Sequence, residues 1–377
     1  MSTITVEPNP TSAPEVPQPR AGRDIASLRR DYARIKAERK LRQREAAAAI
    51  GLSEGEAVAL HVGAEAPLRA TRLRAADAPR LIEGLKACGP LMALTRNEAA
   101  VHERIGVYEE ASEKAHVGLV LGPDIDLRIF YKHWKEAFLV REAQADGERL
   151  SLQFYDADGT AVHKVFERPA TDRAALLELA ELYTAEDQRP TWVAELPEYE
   201  PAQEDSEPDS ADLKEFLRAW SNLQDTHEFF GLLKRFGLSR TRAMAVAQGQ
   251  FTTPVAPGSA GRLLEEAARR GLEIMVFVGN PGCIQIHTGA VANIQRLGPW
   301  VNVMDPLFNL HLREDLINQA WIVRKPTADG VVTSLELFDL AGETIALFFG
   351  KRKPGVPERE DWRTLAADIE REGRLSA

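Results

Sequence analysis

Cysteine is scarce in this chain: Cys88 and Cys283 are the only two in 377 residues. So few exclude a disulfide framework and a cysteine-built zinc site, and they suit a reducing compartment. Long apolar runs are missing as well, and no stretch approaches the length needed to span a bilayer. No basic start followed by an apolar segment opens the chain. Its first twenty residues instead carry Pro8, Pro10, Pro14, Pro17 and Pro19 among Ser, Thr and Glu. Residues 1–24 are therefore expected to form a disordered tail and not a secretion signal. Positive charge is in deficit, with 47 Lys and Arg against 57 Asp and Glu and a net charge of −10. That balance argues against nucleic acid or an anionic membrane as the main partner. GxSxG, P-loop, dinucleotide, HExxH and CxxC patterns do not occur, which removes the commonest hydrolase, NTPase and dehydrogenase readings. The expectation is a soluble cytoplasmic protein with no membrane insertion.

What the chain does have is a second copy of itself. Shifted by 183 positions, residues 92–159 fall on residues 275–342 without a gap. Met92 lands on Met275, Asn97 on Asn280, Gly106 on Gly289 and Pro123 on Pro306. Val140–Arg141 land on Val323–Arg324, and Asp156 and Gly159 on Asp339 and Gly342. Upstream, Gly51-Leu52-Ser53 matches Gly237-Leu238-Ser239 at an offset of 186, as a changed loop length would produce. A repeat this long means two copies of one domain, not a solenoid. At 44% hydrophobic residues each copy can bury its own core.

Residues 22–60 are charged and Ala-rich, which predicts a long helix and then a short one after Gly51. Short apolar runs at Leu91–Leu94, His116–Leu121 and Leu127–Phe130 read as strands. Leu150–Val165 reads as a hairpin turning at Asp156-Ala157-Asp158-Gly159. The same four residues resemble the start of a calcium loop, but no Glu follows at the required place. A helix is expected near 172–186. Seven acidic residues and three prolines mark 195–210 as an acidic linker. The second half repeats the order: helices from 211 to about 270, strands from 273, and a hairpin at Val331–Phe349. The fold class is α+β, with two similar halves (25–194 and 211–370), each a large, mostly antiparallel sheet with helices.

Two residues break the symmetry of the copies. In a helix predicted around 213–236, Leu213, Phe216, Leu217, Trp220, Leu223 and Phe230 recur at three- and four-residue spacing. His227 falls on that apolar face, where the first half has Leu41. A core histidine and a metal ligand are the two readings of it. Arg128 lies in a strand whose counterpart carries His311; Leu127 and Ile129 point to one face, Arg128 and Phe130 to the other. It is either a solvated strand residue or a cation aimed into a pocket. Arg240, Lys325 and Arg352 add basic clusters, which surface solubility alone explains in most proteins. His102, His116, His163 and His287 show no ligand spacing.

Several long strings carry a family resemblance in the right order. They are Thr95-Arg96-Asn97-Glu98 through His102-Glu103, Asp126-Leu127-Arg128, and Thr226-His227-Glu228-Phe229-Phe230. Glu273 through Asn280, Trp321 through Thr327, and Val332 through Phe338 follow. From about residue 25 to 370 the chain resembles the cytoplasmic hemin-degrading factors and haem-trafficking proteins of Gram-negative haem-uptake systems. The resemblance implies a duplicated α+β fold holding one haem b between its halves. It implies His227 as the proximal iron ligand and Arg128 as the distal arginine. It implies Arg240, Lys325 and Arg352 at the propionates or pocket wall. Only His227 stands in its stretch, where some family members carry extra histidines. The chemistry suits these residue types: imidazole ligates haem iron, an apolar cleft takes the ring, and cations meet the propionates. An arginine near the open axial position stays protonated and stabilises developing negative charge. The implied function is haem degradation that releases iron. The implied partners are a haem ABC transporter and an electron donor. The alternative is a carrier that delivers intact haem to a downstream haem oxygenase. A third reading is a duplicated interaction module without a cofactor.

Overall fold

The computed structural model describes residues 24–65, 67–114, 117–145, 147–195, 210–353 and 355–374. The expected tail through residue 23, residues 196–209 of the expected linker, and His116 lie outside the described residues. In the first half, Asp24 accepts from the Ser27 N–H and caps α1 (Ile25–Glu38). The Ala-rich segment expected as one helix then breaks at Lys40, whose φ is +52°, before α2 (Gln43–Ala49). Helix α3 (Glu54–Ala59) begins with a reciprocal capping box between Ser53 and Glu56. Ser239 caps α8 (Arg240–Val246) at the matching point of the second half.

Around these lie β1 (Leu68–Leu73), α4 (Ala78–Gly84), β2 (Leu91–Arg96) and β3 (Ala100–Gly106). Three short strands follow, β4 (Ala111–Lys114), β5 (Val117–Leu121) and β6 (Asp126–Phe130). The half closes with β7 (Glu136–Gln144), β8 (Gly147–Tyr155), β9 (Ala161–Glu167) and α5 (Arg173–Leu182). The second half has α6 (Ser210–Ser221), α7 (Glu228–Phe236) and α8, then β10 (Thr252–Val255) and α9 (Ser259–Arg270). Its strands are β11 (Glu273–Asn280), β12 (Cys283–Ala290), β13 (Ile294–Leu297), β14 (Trp300–Met304) and β15 (Phe308–Arg313). They continue with β16 (Gln319–Thr327), β17 (Gly330–Phe338) and β18 (Thr344–Gly350), and α10 (Glu360–Gly373) ends the fold. The hairpins turn where alternation predicts: Gly159 and Gly342 take φ of +80° and +84°, a region that favours glycine.

Among the described residues the strands form two nine-stranded sheets. One runs β1-β7-β8-β9-β2-β3-β15-β14-β13, the other β10-β16-β17-β18-β11-β12-β6-β5-β4. The pairing registers between named strands are antiparallel throughout, so the duplicated α+β architecture holds. The order adds something that alternation does not encode: each half lends three strands to the other's sheet. Strand β6 pairs with β12, with Cys283 opposite Ile129, and β15 pairs with β3, with Leu310 opposite His102. The lent strands still bury their inner faces against their own half. Val120, Leu127 and Ile129 pack with Leu81, Leu91 and Leu152, and Val301, Val303 and Leu312 with Ile274 and Phe348. Each such fully buried Leu or Ile contributes about 1.5–3 kcal/mol. The halves are thus joined by sheet hydrogen bonds and by apolar burial together. Neither cysteine is bonded; Cys88 and Cys283 are free and buried.

Candidate functional site

His227 stands elsewhere than its spacing predicts. The expected helix over 213–236 is two helices: α6 ends at Ser221 and α7 starts at Glu228. Phe216 and Trp220 are buried as expected, but in α7 it is Phe229 that turns inward. The His227 side chain is 91% exposed, so it is not on the apolar face. Local polar groups make the break. Glu228 Oε2 accepts from the backbone N–H of Gln224 at 2.9 Å and of Asp225 at 3.4 Å. Asp225 Oδ1 accepts from the His227 backbone N–H at 2.8 Å. Side chains that satisfy backbone donors this way compete with helix continuation. Leu41, the counterpart in the first half, also precedes a second helix but packs against the core there.

The His227 ring is held. Its Nδ1 lies 2.6 Å from Asp225 Oδ1, which leaves Nε2 as the nitrogen available to a ligand. The Asp225 carboxyl is held below the usual range by the His227 backbone N–H first, then by the imidazole contact and the nearby Arg352 guanidinium. Arg352 itself lies 3.8 Å from Asp329. The loop is tied to the β16–β17 turn, where the Ala328 N–H donates to Gln224 O at 3.0 Å.

Arg240 and Lys325 meet on a residue that the sequence reading missed. Glu336 is fully buried; it accepts from Arg240 Nε at 2.8 Å and from Lys325 Nζ at 2.6 Å. Ser334 Oγ donates to it at 3.0 Å. Burial alone would raise the Glu336 carboxyl, but the two cations outweigh it and hold it well below the usual range. Lys325 is pulled down to about 8 by burial, against the opposing pull of Glu336. The ring of Phe229 lies over both cations, 4.6 Å from Lys325 Nζ and 5.5 Å from Arg240 Cζ. Lys325 is therefore no surface lysine. Two cations against one carboxylate leave a charge of +1 under the start of α7. Apolar neighbours Leu335 and Leu337 hide Glu336 in the sequence; nothing in its spacing marks it.

The face of the sheet beyond this triad is apolar and partly open. Directly paired residues share a face, and Trp321, Glu336, Leu347, Phe277, Ile286 and Asp126 form one row across six strands. Neighbouring rows add Phe349 and Met275, and Ile284 paired with Arg128. Met275, Phe277, Ile284, Leu347 and Phe349 are half-buried, whereas Ile274, Val276, Val278 and Phe348 on the opposite face are fully buried core. Phe277 and Phe349 meet edge to face at 5.2 Å. Helix α7 packs on the same face through Phe229, Leu232 and Leu233, near Trp321 and Val323.

Arg128 projects from this face on β6, as its alternation predicts, and is half-buried. It donates to Asp126 on its own strand and to Leu127 O at 3.1 Å. Four strand spacings separate it from β17, roughly 19 Å at about 4.8 Å each. The apolar strip between is the width of a large flat ring system. A first-half strand thus brings Arg128 onto the sheet that carries Lys325 and Glu336. His227, Arg240, Lys325 and Arg352 come from the second half alone.

Among the other described histidines, His133 and His311 are part-buried beside Asp156 and Asn302, and His61 is buried. His102, His163 and His287 are buried. His163 Nδ1 lies 2.9 Å from Thr95 Oγ1 and its Nε2 2.8 Å from Tyr108 Oη, and burial pulls it down to about 3. No group of three or more metal-type ligands occurs among the described residues. No helix there is long and apolar enough to cross a membrane.

Residues 51–183 and 237–369 each match the Haemin-degrading HemS.ChuX domain. The hemin transport protein HmuS of Yersinia pestis is 39% identical over 349 residues, covering 91% of this chain and 97% of that protein. Holo-PhuS, a heme-binding protein from Pseudomonas aeruginosa, superposes with a TM-score of 0.86 at 47% identity, covering 91% and 98% of the two chains. ChuS, an Escherichia coli heme oxygenase, superposes with a TM-score of 0.80 at 34% identity, covering 91% and 99%.

Proposed function

The chain belongs to the haemin-degrading HemS/ChuX family, and we propose that it is a cytoplasmic protein that binds one haem b and degrades it to release iron. The observation that carries this reading is the half-buried apolar face of the second half's sheet, with an exposed histidine at its edge. Haem faces are large and apolar, and such a surface left open on a protein marks a binding site. In this reading His227 Nε2 ligates the iron. The +1 charge of the Arg240–Lys325–Glu336 triad and Arg352 attract the propionates. Arg128 stands at the far side of the face, where its guanidinium donors orient a polar ligand. Haem supplies the redox chemistry when bound, and the protein supplies ligand, orientation and access. An electron donor is the partner that degradation requires, and a haem ABC transporter is the partner proposed to supply the haem.

Carriage of intact haem is the second reading. The pairing of Arg128 with Asp126 favours it, as does the name of HmuS, a transport protein. Haem titration followed by absorbance tests the shared part. Saturation at one haem per chain is expected, and clear two-to-one binding would sink it. His227→Ala should shift the Soret band and weaken binding at least about a hundredfold, since loss of a ligand's hydrogen-bond partner alone commonly costs about 10–100-fold. An unchanged spectrum means that the ligand lies elsewhere. Arg128→Ala separates degradation from carriage. An enzyme should lose on the order of a hundredfold in reductant-dependent loss of the Soret band, with catalase present. Equal loss in both proteins leaves the carrier reading.

A further inference from the structure

We infer that Asp225 is a positioning residue for His227: its carboxylate fixes the imidazole with Nδ1 protonated and Nε2 presented to the iron. The inference rests on His227 being the haem ligand. One oxygen, Oδ1, makes both contacts, 2.8 Å to the backbone N–H and 2.6 Å to ring Nδ1. A helix cap needs only the first. The second is at the short end for a hydrogen bond to a charged acceptor. It also gives a definite orientation to a side chain that is 91% exposed and otherwise packed against little. A carboxylate on the far nitrogen sets the tautomer and makes the ligating nitrogen a stronger donor.

The repeat supplies an independent observation. At the offset of 186, Asp225 falls on Arg39 and His227 on Leu41. The acid and the imidazole are thus present together in the second half and absent together from the first. Arg39 there merely ends α1. The loop is also built to hold the acid in place, through Glu228 on the Asp225 backbone N–H and the Arg352 guanidinium nearby.

Asp225→Asn is the informative variant, because an asparagine oxygen can still cap the His227 backbone while the charge on the ring is gone. Three readings are taken beside wild type and His227→Ala. Long-range proton–nitrogen NMR of the haem-free protein reports the His227 tautomer. Resonance Raman of the reduced haem complex reports the iron–histidine stretch. Absorbance titration reports affinity. The expected result is loss of the Nδ1–H tautomer preference, a lower stretching frequency, and roughly 10–100-fold weaker haem binding. If His227→Ala alters the haem spectrum while Asp225→Asn keeps the wild-type stretch, Asp225 is a cap only and the inference falls alone. A loss of affinity with an unchanged stretch overturns it equally, since that is an effect of loop folding. If His227→Ala leaves the spectrum unchanged, the ligand assignment falls and takes this inference with it.

Discussion

The same row of side chains crosses both sheets, and in the two halves it has opposite character. In the first half's sheet it reads Phe138, Gln153, Lys164, Leu94, Glu103, Asn309. In the second it reads Trp321, Glu336, Leu347, Phe277, Ile286, Asp126. The repeat lays each position on its counterpart, so Lys164 stands for Leu347 and Glu103 for Ile286. Lys164 is buried with Nζ 2.6 Å from Glu54, which also pairs with Arg96. Burial alone would raise the Glu54 carboxyl; Lys164 and Arg96 outweigh it and hold it low. Glu54 occupies the helix position that Arg240 holds in the second half, so even the sign of that charge is reversed. A flat apolar ligand would have to desolvate the first half's charges, whereas the second half offers carbon and a spare cation. Duplication therefore left one face closed on itself and the other able to receive a ligand.

Carrying the first half's lysine into the second half attacks that difference most directly. Leu347→Lys places a cation in the apolar row, a third one beside a Glu336 that Arg240 and Lys325 already occupy. Covering an unpaired charge with a haem ring costs several kcal/mol, so affinity should fall about a hundredfold or more. Far-UV circular dichroism of the haem-free protein should be unchanged, because Leu347 is only half-buried. Wild-type affinity in this variant would mean that haem lies on another surface.

Removing the buried acid from each half sharpens the comparison. Glu54→Ala and Glu336→Ala each leave buried cations without their partner, and each should lower stability by about 3–5 kcal/mol in urea denaturation. Only Glu336→Ala should also disturb haem, since Phe229 rests on the cations that Glu336 holds and His227 is two residues before it. A haem spectrum altered by Glu54→Ala and not by Glu336→Ala would place the ligand in the wrong half for the present reading.

Much of this was legible in the residues. The ungapped repeat announced two copies, the alternation around Leu152 and Phe154 announced the β8–β9 hairpin, and that around Leu127 and Ile129 turned Arg128 to the correct face. The helix break before His227 was not read, because Trp220, Leu223, His227 and Phe230 keep helical spacing straight through it, with no Gly or Pro. A signal was nonetheless present: Asp225 followed three residues later by Glu228 is a capping pattern. The lent strands were not legible, since period-two alternation fixes a strand's faces and says nothing of its partner. Glu336 was hidden for a related reason. A single acid between Leu335 and Leu337 looks solvent-facing until α7 and α8 are known to cover it.

The smallest expected effect concerns Lys325, whose counterpart in the first half is the acid Glu142. Its pKa in the folded protein lies at about 8, below the ordinary 10.5. Unfolded chains therefore bind more protons than folded ones between those values, and stability must rise with pH across that window. The cost of burying the charged lysine is complete below about 8 and gone above 10.5. Haem affinity should move the other way. Loss of the Lys325 proton takes the triad from +1 to neutral and removes one attraction for a propionate. That attraction is worth at least about 1 kcal/mol, or about fivefold in affinity. The two trends are measured as differences from Lys325→Met, by urea denaturation and by haem titration from pH 7 to 10. The variant keeps the pH dependence of other groups, such as Lys164, which burial also pulls down, so the difference isolates Lys325. Stability and affinity that rise together in wild type would mean that the lysine does not lie beneath the haem.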